Sequence, residues 1–202
     1  DVIRLLGGGE VTSVQAQVFD CDPERPTIGA HMLMLRFADG AAATAIYNGY
    51  GGLPGGALTG GVGEWGFPAP TTSTPRTRPP GDEREAKRAR AAALEAGLPP
   101  FQPHFGLTIA SCERGDIRQS PHGLLVHGPD GQQEIALDGG RTPHDFLAAE
   151  FHDAVRGLAP ALHDGRWGLA NLEICDAALR SARTGAAVSL RHQVALQAGE
   201  EG

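Results

Sequence analysis

The sequence predicts an α+β fold, a mainly antiparallel open sheet with helices packed on one face. Three observations carry that expectation. Strand-period segments come in consecutive pairs joined by short turns, Asp39-Gly40 and Pro129-Asp130-Gly131 among them, which is the pattern of antiparallel hairpins. Two helix-period segments follow one another late in the chain instead of alternating with strands, so helices and sheet segregate. Apolar residues occupy both alternating positions of residues 30–38, which marks a sheet covered on both faces.

Each element has its own warrant. Val2, Leu5 and Leu6 share a helix face, and the run Gly7-Gly8-Gly9 supplies a C-cap. No methionine or N-cap precedes that turn, so it reads as the end of a longer helix and the chain as a fragment of a larger protein. Residues 10–22 alternate as a strand through Val14, Ala16 and Val18. Residues 30–38 form a second strand, with His31, Leu33, Leu35 and Phe37 on one side and Met32 and Met34 on the other, and 41–48 pair back on it. From Gly51 to Pro80 glycine, proline and threonine erase the pattern, and a charged, alanine-rich run from Asp82 to Ala96 reads as an exposed helix closed by Gly97. Residues from about 52 to 100 are thus expected to be a flexible insertion within one domain spanning 1–202. Strand signals return at 104–112, 123–128 and 132–137. Thr142, Pro143 and Asp145 open a helix as N-cap, N1 and N3, with Leu147, Phe151, Val155 and Leu158 along one face. A second helix runs from about Trp167 to Thr184, aligning Ala170, Ile174, Ala177 and Ser181 and ending at Gly185, before a short strand at 187–190 and a polar tail.

Composition removes several classes of function. The 202 residues, 41% hydrophobic, suffice for one core without disulfide staples. Asp and Glu number 24 against 17 Lys and Arg, a net charge of −7 with no long basic run, which argues against nucleic-acid binding. No apolar stretch approaches the ~20 residues that span a bilayer. Cys21, Cys112 and Cys175 are isolated and odd in number, so neither a zinc ribbon nor a disulfide framework follows. They fit a reducing cytoplasm, where cysteine serves as a small buried hydrophobe.

Three motifs bear on chemistry. Gly61-Val-Gly63-Glu-Trp-Gly66 matches the letters of the dinucleotide fingerprint, but glycine-rich coil precedes it and Pro68 and Pro70 follow, so no strand–turn–helix can present a pyrophosphate to a helix N-terminus. No cofactor-binding residue is therefore expected in this chain. His144 and His152 lie on similar faces of one helix without a convergent third ligand, so they read as a polar helix face and no metal site is expected. Ser111-Cys-Glu-Arg114-Gly-Asp-Ile-Arg118 falls where a strand ends and a connection begins, the usual place for ligand-facing groups. Arg114 and Arg118 could form a bidentate carboxylate clamp there, against the plainer reading of a surface ionic network. Cys112 has no neighbouring histidine to activate it and reads as a buried strand residue.

Several segments together resemble the C-terminal domain of the glucose–fructose oxidoreductase/inositol dehydrogenase (Gfo/Idh/MocA) family. "DVIRLLGGGEVTSVQAQ" looks like its helix-to-strand entry, "LRFADGAAATAIYNGYG" like its central hairpin, and "GRWGLANLEICDAALRSARTGAAVSL" like its closing helix and strand, with Glu173, Ala178, Ser181, Gly185, Val188 and Leu190 in place. "FGLTIASCERGDIRQSPHGLLVHG" and the ending "LRHQV" are similar to dehydrogenases acting on phthalate cis-dihydrodiols.

The resemblance implies a dihydrodipicolinate-reductase-like fold and a two-domain, cytoplasmic NAD- or NADP-dependent enzyme whose N-terminal Rossmann domain is absent from this chain. Hydride would pass from a substrate carbinol to nicotinamide while a lysine or histidine takes the hydroxyl proton. The family's His-x-x-Asp motif places its aspartate at Asp1; its histidine would lie three residues upstream. As the first residue, Asp1 is not expected to be held in place. A dicarboxylate such as a phthalate dihydrodiol needs cationic partners, for which Arg114, Arg118 and His104 are the candidates. The chain alone is expected to be inactive, and to self-associate as a dimer or tetramer through its open sheet face, as family members commonly do. The alternative is a non-catalytic α+β oligomerisation or ligand-binding module. Neither nucleic acid nor membrane is an expected partner.

Overall fold

A computed structural model describes residues 1–23, 27–73, 85, 88, 97–139 and 141–196. In chain order these form α1 (Val2–Leu6), β1 (Val11–Phe19), β2 (Ala30–Phe37), β3 (Ala42–Asn48), a 3-10 turn at Gly55–Ala57, β4 (Ile109–Cys112), β5 (Gly115–Ser120), β6 (Gly123–Gly128), β7 (Gly131–Ala136), α2 (Pro143–Arg156), α3 (Gly165–Thr184) and β8 (Val188–Ser189). The α+β class stands, with an important difference: there are two four-stranded antiparallel sheets, ordered β3-β2-β1-β8 and β4-β5-β6-β7. Contacts divide the chain into two compact units, unit 1 (Asp1–Gly51 with Asp153–Gly202) and unit 2 (Gly52–His152), where the sequence reading has one domain.

Unit 1 is built as the period-two pattern dictates. Val14 pairs with Leu35 and Ala16 with Leu33, so their side chains share one face. There α3 lays Ile174, Ala177 and Ala178 against Val11, Val14, Ala16, Leu35 and Phe37. Gly7 lets Phe37 close the core beside α1, since a Cβ there would lie 2.3 Å from the ring's Cζ. Ser181, fully buried, accepts a hydrogen bond from the Ala16 N–H at 2.9 Å and donates one to the Ala186 carbonyl at 2.7 Å. Asp164 caps α3 through the Arg166 and Trp167 N–H groups, and Gly185 ends it at φ 72°, a left-handed conformation that suits glycine. Gln15, Met34 and Thr44 align across the opposite face, as do Gln17, Met32 and Ile46, and this second face is exposed.

Unit 2 is a β-meander with sparse burial. The Pro129-Asp130-Gly131 hairpin forms between β6 and β7 as read. The strand expected over 104–112 is only Ile109–Cys112, and Gly115–Ser120 adds β5, whose alternation glycine and charge mask in the sequence. Within the insertion, Gly56, Thr59 and Val62 are buried and Val62 bridges Pro68; the Thr59 hydroxyl donates to the Val62 carbonyl at 2.6 Å. Of the helix expected over Asp82–Ala96, Glu85 and Arg88 are helical and the rest lie outside the described residues.

Three further expectations are corrected. On α1 it is Arg4 that is buried, whereas Val2, Leu5 and Leu6 are exposed. Helix α2 opens as read, the Thr142 N–H and hydroxyl donating to Asp145 Oδ2 at 2.6 and 2.8 Å, yet it buries nothing and its Leu147, Phe151, Val155 and Leu158 stripe is 57–70% exposed. Periodicity specifies a helix face; it does not specify what lies against it. All three cysteines are exposed free thiols.

Candidate functional site

The best-built polar cluster of unit 1 joins α1 to the head of α3. Asp1 and Arg4 stand one helical turn apart, so both side chains reach the same place. Asp1 Oδ1 accepts hydrogen bonds from Trp167 Nε1 at 2.6 Å and Asn171 Nδ2 at 3.1 Å, and its Oδ2 lies 3.3 Å from His163 Nε2. The expectation of a loose first residue is thereby overturned. Arg4, 1% exposed, lies over the Trp167 ring, its Cζ 3.9 Å from the ring centroid. Its guanidinium donates to the carbonyls of Gly9, Trp167 and Val194 and to Asn171 Oδ1, at 3.0, 3.2, 3.3 and 3.0 Å. Burial lowers the Arg4 pKa, and this set of acceptors is what makes a buried cation tolerable. Asn171 donates to Asp1 and accepts from Arg4, so its amide orientation is fixed from both sides.

Two turns along α3, Glu173 gathers the segment after β8. Its carboxylate accepts from the Arg191 and His192 N–H groups at 2.8 and 2.9 Å, from Gln193 Nε2 at 2.8 Å, and stands 3.1 Å from His192 Nδ1. Burial alone would raise its pKa, but the bonds from Gln193, Arg191 and His192 outweigh burial and hold it at about 2. Glu173 is thereby an ionised clasp on the Arg191-His192-Gln193 segment.

The candidates in unit 2 are differently placed. Arg114 sits in the exposed turn between β4 and β5, whereas half-buried Arg118 lies on β5 opposite Ile109 and donates to the Gln119 carbonyl at 3.3 Å. Three residues of β5, Gly115 to Ile117, lie between them, at most roughly 13 Å of backbone from Cα to Cα, so one cation stands in the turn and the other on the strand. His104 is 4% exposed, and its Nδ1 lies 2.7 Å from the Gln102 carbonyl, which can only accept; Nδ1 therefore carries the proton. Gly61–Gly66 forms a tight turn, with Gly63 N–H on the Phe67 carbonyl and Gly66 N–H on the Gly63 carbonyl, and no helix follows it among the described residues. His144 stacks on Trp65 at 5.4 Å. Among the described residues no group of three or more His, Cys, Asp and Glu is arranged to hold a metal, and no helix is long and apolar enough to cross a membrane.

Sequence reasoning missed Arg4, His163 and Asn171. The available signal was a lone charge in the apolar run Val2-Ile-Arg-Leu-Leu6, which on a core-facing helix demands buried partners.

No family model matches the chain. It is 30% identical, over 196 residues, to the 1-carboxy-3-chloro-3,4-dihydroxycyclohexa-1,5-diene dehydrogenase of Comamonas testosteroni, covering 91% of this chain and 49% of that protein. A solved structure from Bordetella bronchiseptica RB50, assigned as a dehydrogenase, is 35% identical with a TM-score of 0.79, covering 93% of this chain and 51% of that one. The oxidoreductase of Agrobacterium radiobacter, solved with NAD+, L-tartaric acid and magnesium, shares the fold at a TM-score of 0.59 and 15% identity, covering 94% of this chain and 46% of that one. The chain thus spans about half the length of each. It has the fold of the C-terminal domain of Gfo/Idh/MocA-type oxidoreductases, and the sequence resemblance to that family stands.

Proposed function

We propose that this chain is the substrate-side half of an NAD- or NADP-dependent cytoplasmic dehydrogenase that oxidises a carboxylated cyclic dihydrodiol, a phthalate dihydrodiol being the first candidate. The observation that carries the reading is the 30% identity, over 91% of the chain, to a dehydrogenase named for a carboxylated dihydroxycyclohexadiene. The nicotinamide, bound by the other half, would accept hydride from one carbinol carbon as the hydroxyl proton leaves to a base. In this reading Asp1 is the motif's aspartate at the proton-transfer side. Arg114 and Arg118, two separated cations, each take one carboxylate of a dicarboxylate, and His104 is a third, weaker partner for that substrate. The chain itself neither holds the dinucleotide nor turns over.

The test uses the full-length protein with either nicotinamide and a phthalate cis-dihydrodiol, following reduced nicotinamide by absorbance. Turnover is expected, and Arg114→Ala and Arg118→Ala should each raise KM about tenfold, the loss of one charge-assisted contact. A folded full-length protein that reduces neither nicotinamide with any carboxylated dihydrodiol overturns the reading and favours a non-catalytic module. Saturable micromolar binding of NAD or NADP to this chain alone would refute its assigned share.

Self-association belongs to the same proposal. Met32, Met34 and Ile46 are 50%, 36% and 72% exposed on one sheet face, and a groove of about 300 Å³ runs past Phe19, Met32, Ile46 and Tyr47. A second copy placed face to face across a two-fold axis would cover this surface with one repeated contact set. Met34→Asp should then shift sedimentation from dimer or tetramer toward monomer with the circular dichroism unchanged. A monomer for the unmodified chain at about 50 µM would exclude this interface.

A further inference from the structure

The free edge of the unit 1 sheet carries one step more, independent of the dehydrogenase reading. β3 ends the order β3-β2-β1-β8, and no described strand pairs with its outer side. Phe37 N–H donates to the Ala41 carbonyl and Gly49 N–H to the Gly29 carbonyl, which fixes the phase of the β2–β3 ladder. Antiparallel pairs alternate, so Ala43, Ala45 and Tyr47 turn their backbone groups to β2, whereas Ala42, Thr44 and Ile46 turn theirs outward. All three outward residues are exposed. Proteins commonly blunt such an edge with a charge, a proline or a bulge. The run Ala42-Ala-Thr-Ala-Ile-Tyr-Asn48 has no charge and no proline, and its register with β2 is unbroken from Ala30↔Asn48 to Arg36↔Ala42. The strand is also self-complementary. Set antiparallel about Thr44, two copies make three outward pairs, Ala42 with Ile46, Thr44 with Thr44 and Ile46 with Ala42, each exchanging two N–H···O=C bonds. On the α3 side the residues that meet are Ala43 and Ala45, which are small, and α3 packs over β1, two strands away from this edge. Two chains of net charge −7 therefore meet along a strand that carries no charge of its own.

We propose that the outer edge of β3 pairs with β3 of a second copy, antiparallel about Thr44, joining two four-stranded sheets into one of double width. The two-fold axis stands perpendicular to the sheet, so both copies keep α3 on one side and the Met32, Met34 and Ile46 face on the other. This contact uses backbone groups along an edge and is distinct from a face-to-face contact between sheets. Where both contacts form, their perpendicular axes close a tetramer.

The test is amide hydrogen exchange of the 15N-labelled chain, read by NMR at about 50 µM, with sedimentation at the same concentration. In the unmodified chain the Thr44 and Ile46 amides should exchange at least about tenfold more slowly than unpaired amides, as the inward amides of Ala43 and Ala45 do. Thr44→Pro removes an outward N–H and no bond to β2, a change that edge strands accept. It should halve the sedimenting mass and strip Ile46 of its protection, while Ala43 and Ala45 stay protected and so report an intact hairpin. Unprotected Thr44 and Ile46 amides in the unmodified chain overturn the proposal, because the edge is then open or reserved for a foreign strand. Protected amides with a mass that Thr44→Pro does not change overturn it too, because the chain then covers its own edge. Neither readout involves nicotinamide or substrate, so a failure of the dehydrogenase reading leaves both where they are.

Discussion

The two units contain sheets of equal strand number and opposite economy. In unit 1 a long helix lies on the sheet and closes an apolar core: Val11, Val14, Leu35 and Phe37 below, Ile174, Ala177 and Ala178 above. In unit 2 the buried side chains among the described residues are Val62, Thr59, His104 and Ser120, and β7 is exposed along its whole length. Each fully buried Val, Leu, Ile or Phe contributes roughly 1.5–3 kcal/mol, whereas a neutral hydrogen bond contributes about 1. Four strands in register therefore do not measure a sheet's stability; the layer packed on it does. Trp167 lies in unit 1 and Trp65 in unit 2, so two single-tryptophan variants would let each unit's unfolding be followed separately.

The largest expected effect is in unit 1, at a polar residue. Arg4→Ala removes the donor to three carbonyls and to Asn171, and leaves the buried carbonyls of Gly9 and Trp167 without it. Stranding two buried acceptors in this way costs about 3 kcal/mol. Urea unfolding followed on Trp167 should show that loss, with the Trp65 transition unmoved. A loss below about 1 kcal/mol on the Trp167 signal would mean that Arg4 is not what ties α1 to α3.

Glu173 is expected to have a smaller, pH-dependent effect in the same unit. Its folded pKa is about 2, against 4.5 for the free group. A depressed pKa contributes stability that is fully present above about pH 4.5 and is lost as pH falls toward 2. The shift corresponds to roughly 2 kcal/mol once the solvent reaching this carboxylate is allowed for. Glu173→Gln should flatten the acid dependence of the Trp167 transition between pH 4.5 and 2, and below pH 2 the variant and the parent should converge. Equal slopes in that window would show that the clasp on residues 191–193 carries no linkage.

What was legible in the sequence follows the same division. The strands and closing helix of unit 1 were readable because burial wrote period-two and period-3.6 patterns there, down to Ala170, Ile174, Ala177 and Ser181 in line and Gly185 as the cap. β5 was not, because Gly115-Asp-Ile-Arg-Gln-Ser120 is held by its neighbours' ladder and has no clean apolar alternation. The Asp1 cluster was unreadable for a different reason. Its partners, His163, Trp167 and Asn171, lie at the far end of the chain, and no local period encodes a contact that only the tertiary fold makes. The spacing of Arg114 and Arg118 suggests a clamp only if both lie in one connection; Arg114 is in the turn and Arg118 within β5.

The smallest expected effect would sharpen the contrast from the side of unit 2. Ser120 is 1% exposed, and its hydroxyl donates to Glu134 Oε1 at 2.6 Å, a charge-assisted bond across the meander. In unit 1 the comparable buried hydroxyl, Ser181, holds the backbone of β1 to the end of α3 beneath an apolar layer. Glu134 lies on an exposed strand, so its carboxylate turns to water when the serine hydroxyl is removed. That recovers most of the bond, since the large penalty attaches to acceptors that water cannot reach. Ser120→Ala should therefore cost about 1 kcal/mol on the Trp65 transition, while Ser181→Ala, which strands a buried N–H, should cost about 2 on Trp167. Equal losses at the two serines would show that unit 2 hides its polar groups from water as well as unit 1 does, and the contrast between the units would then rest on apolar packing alone.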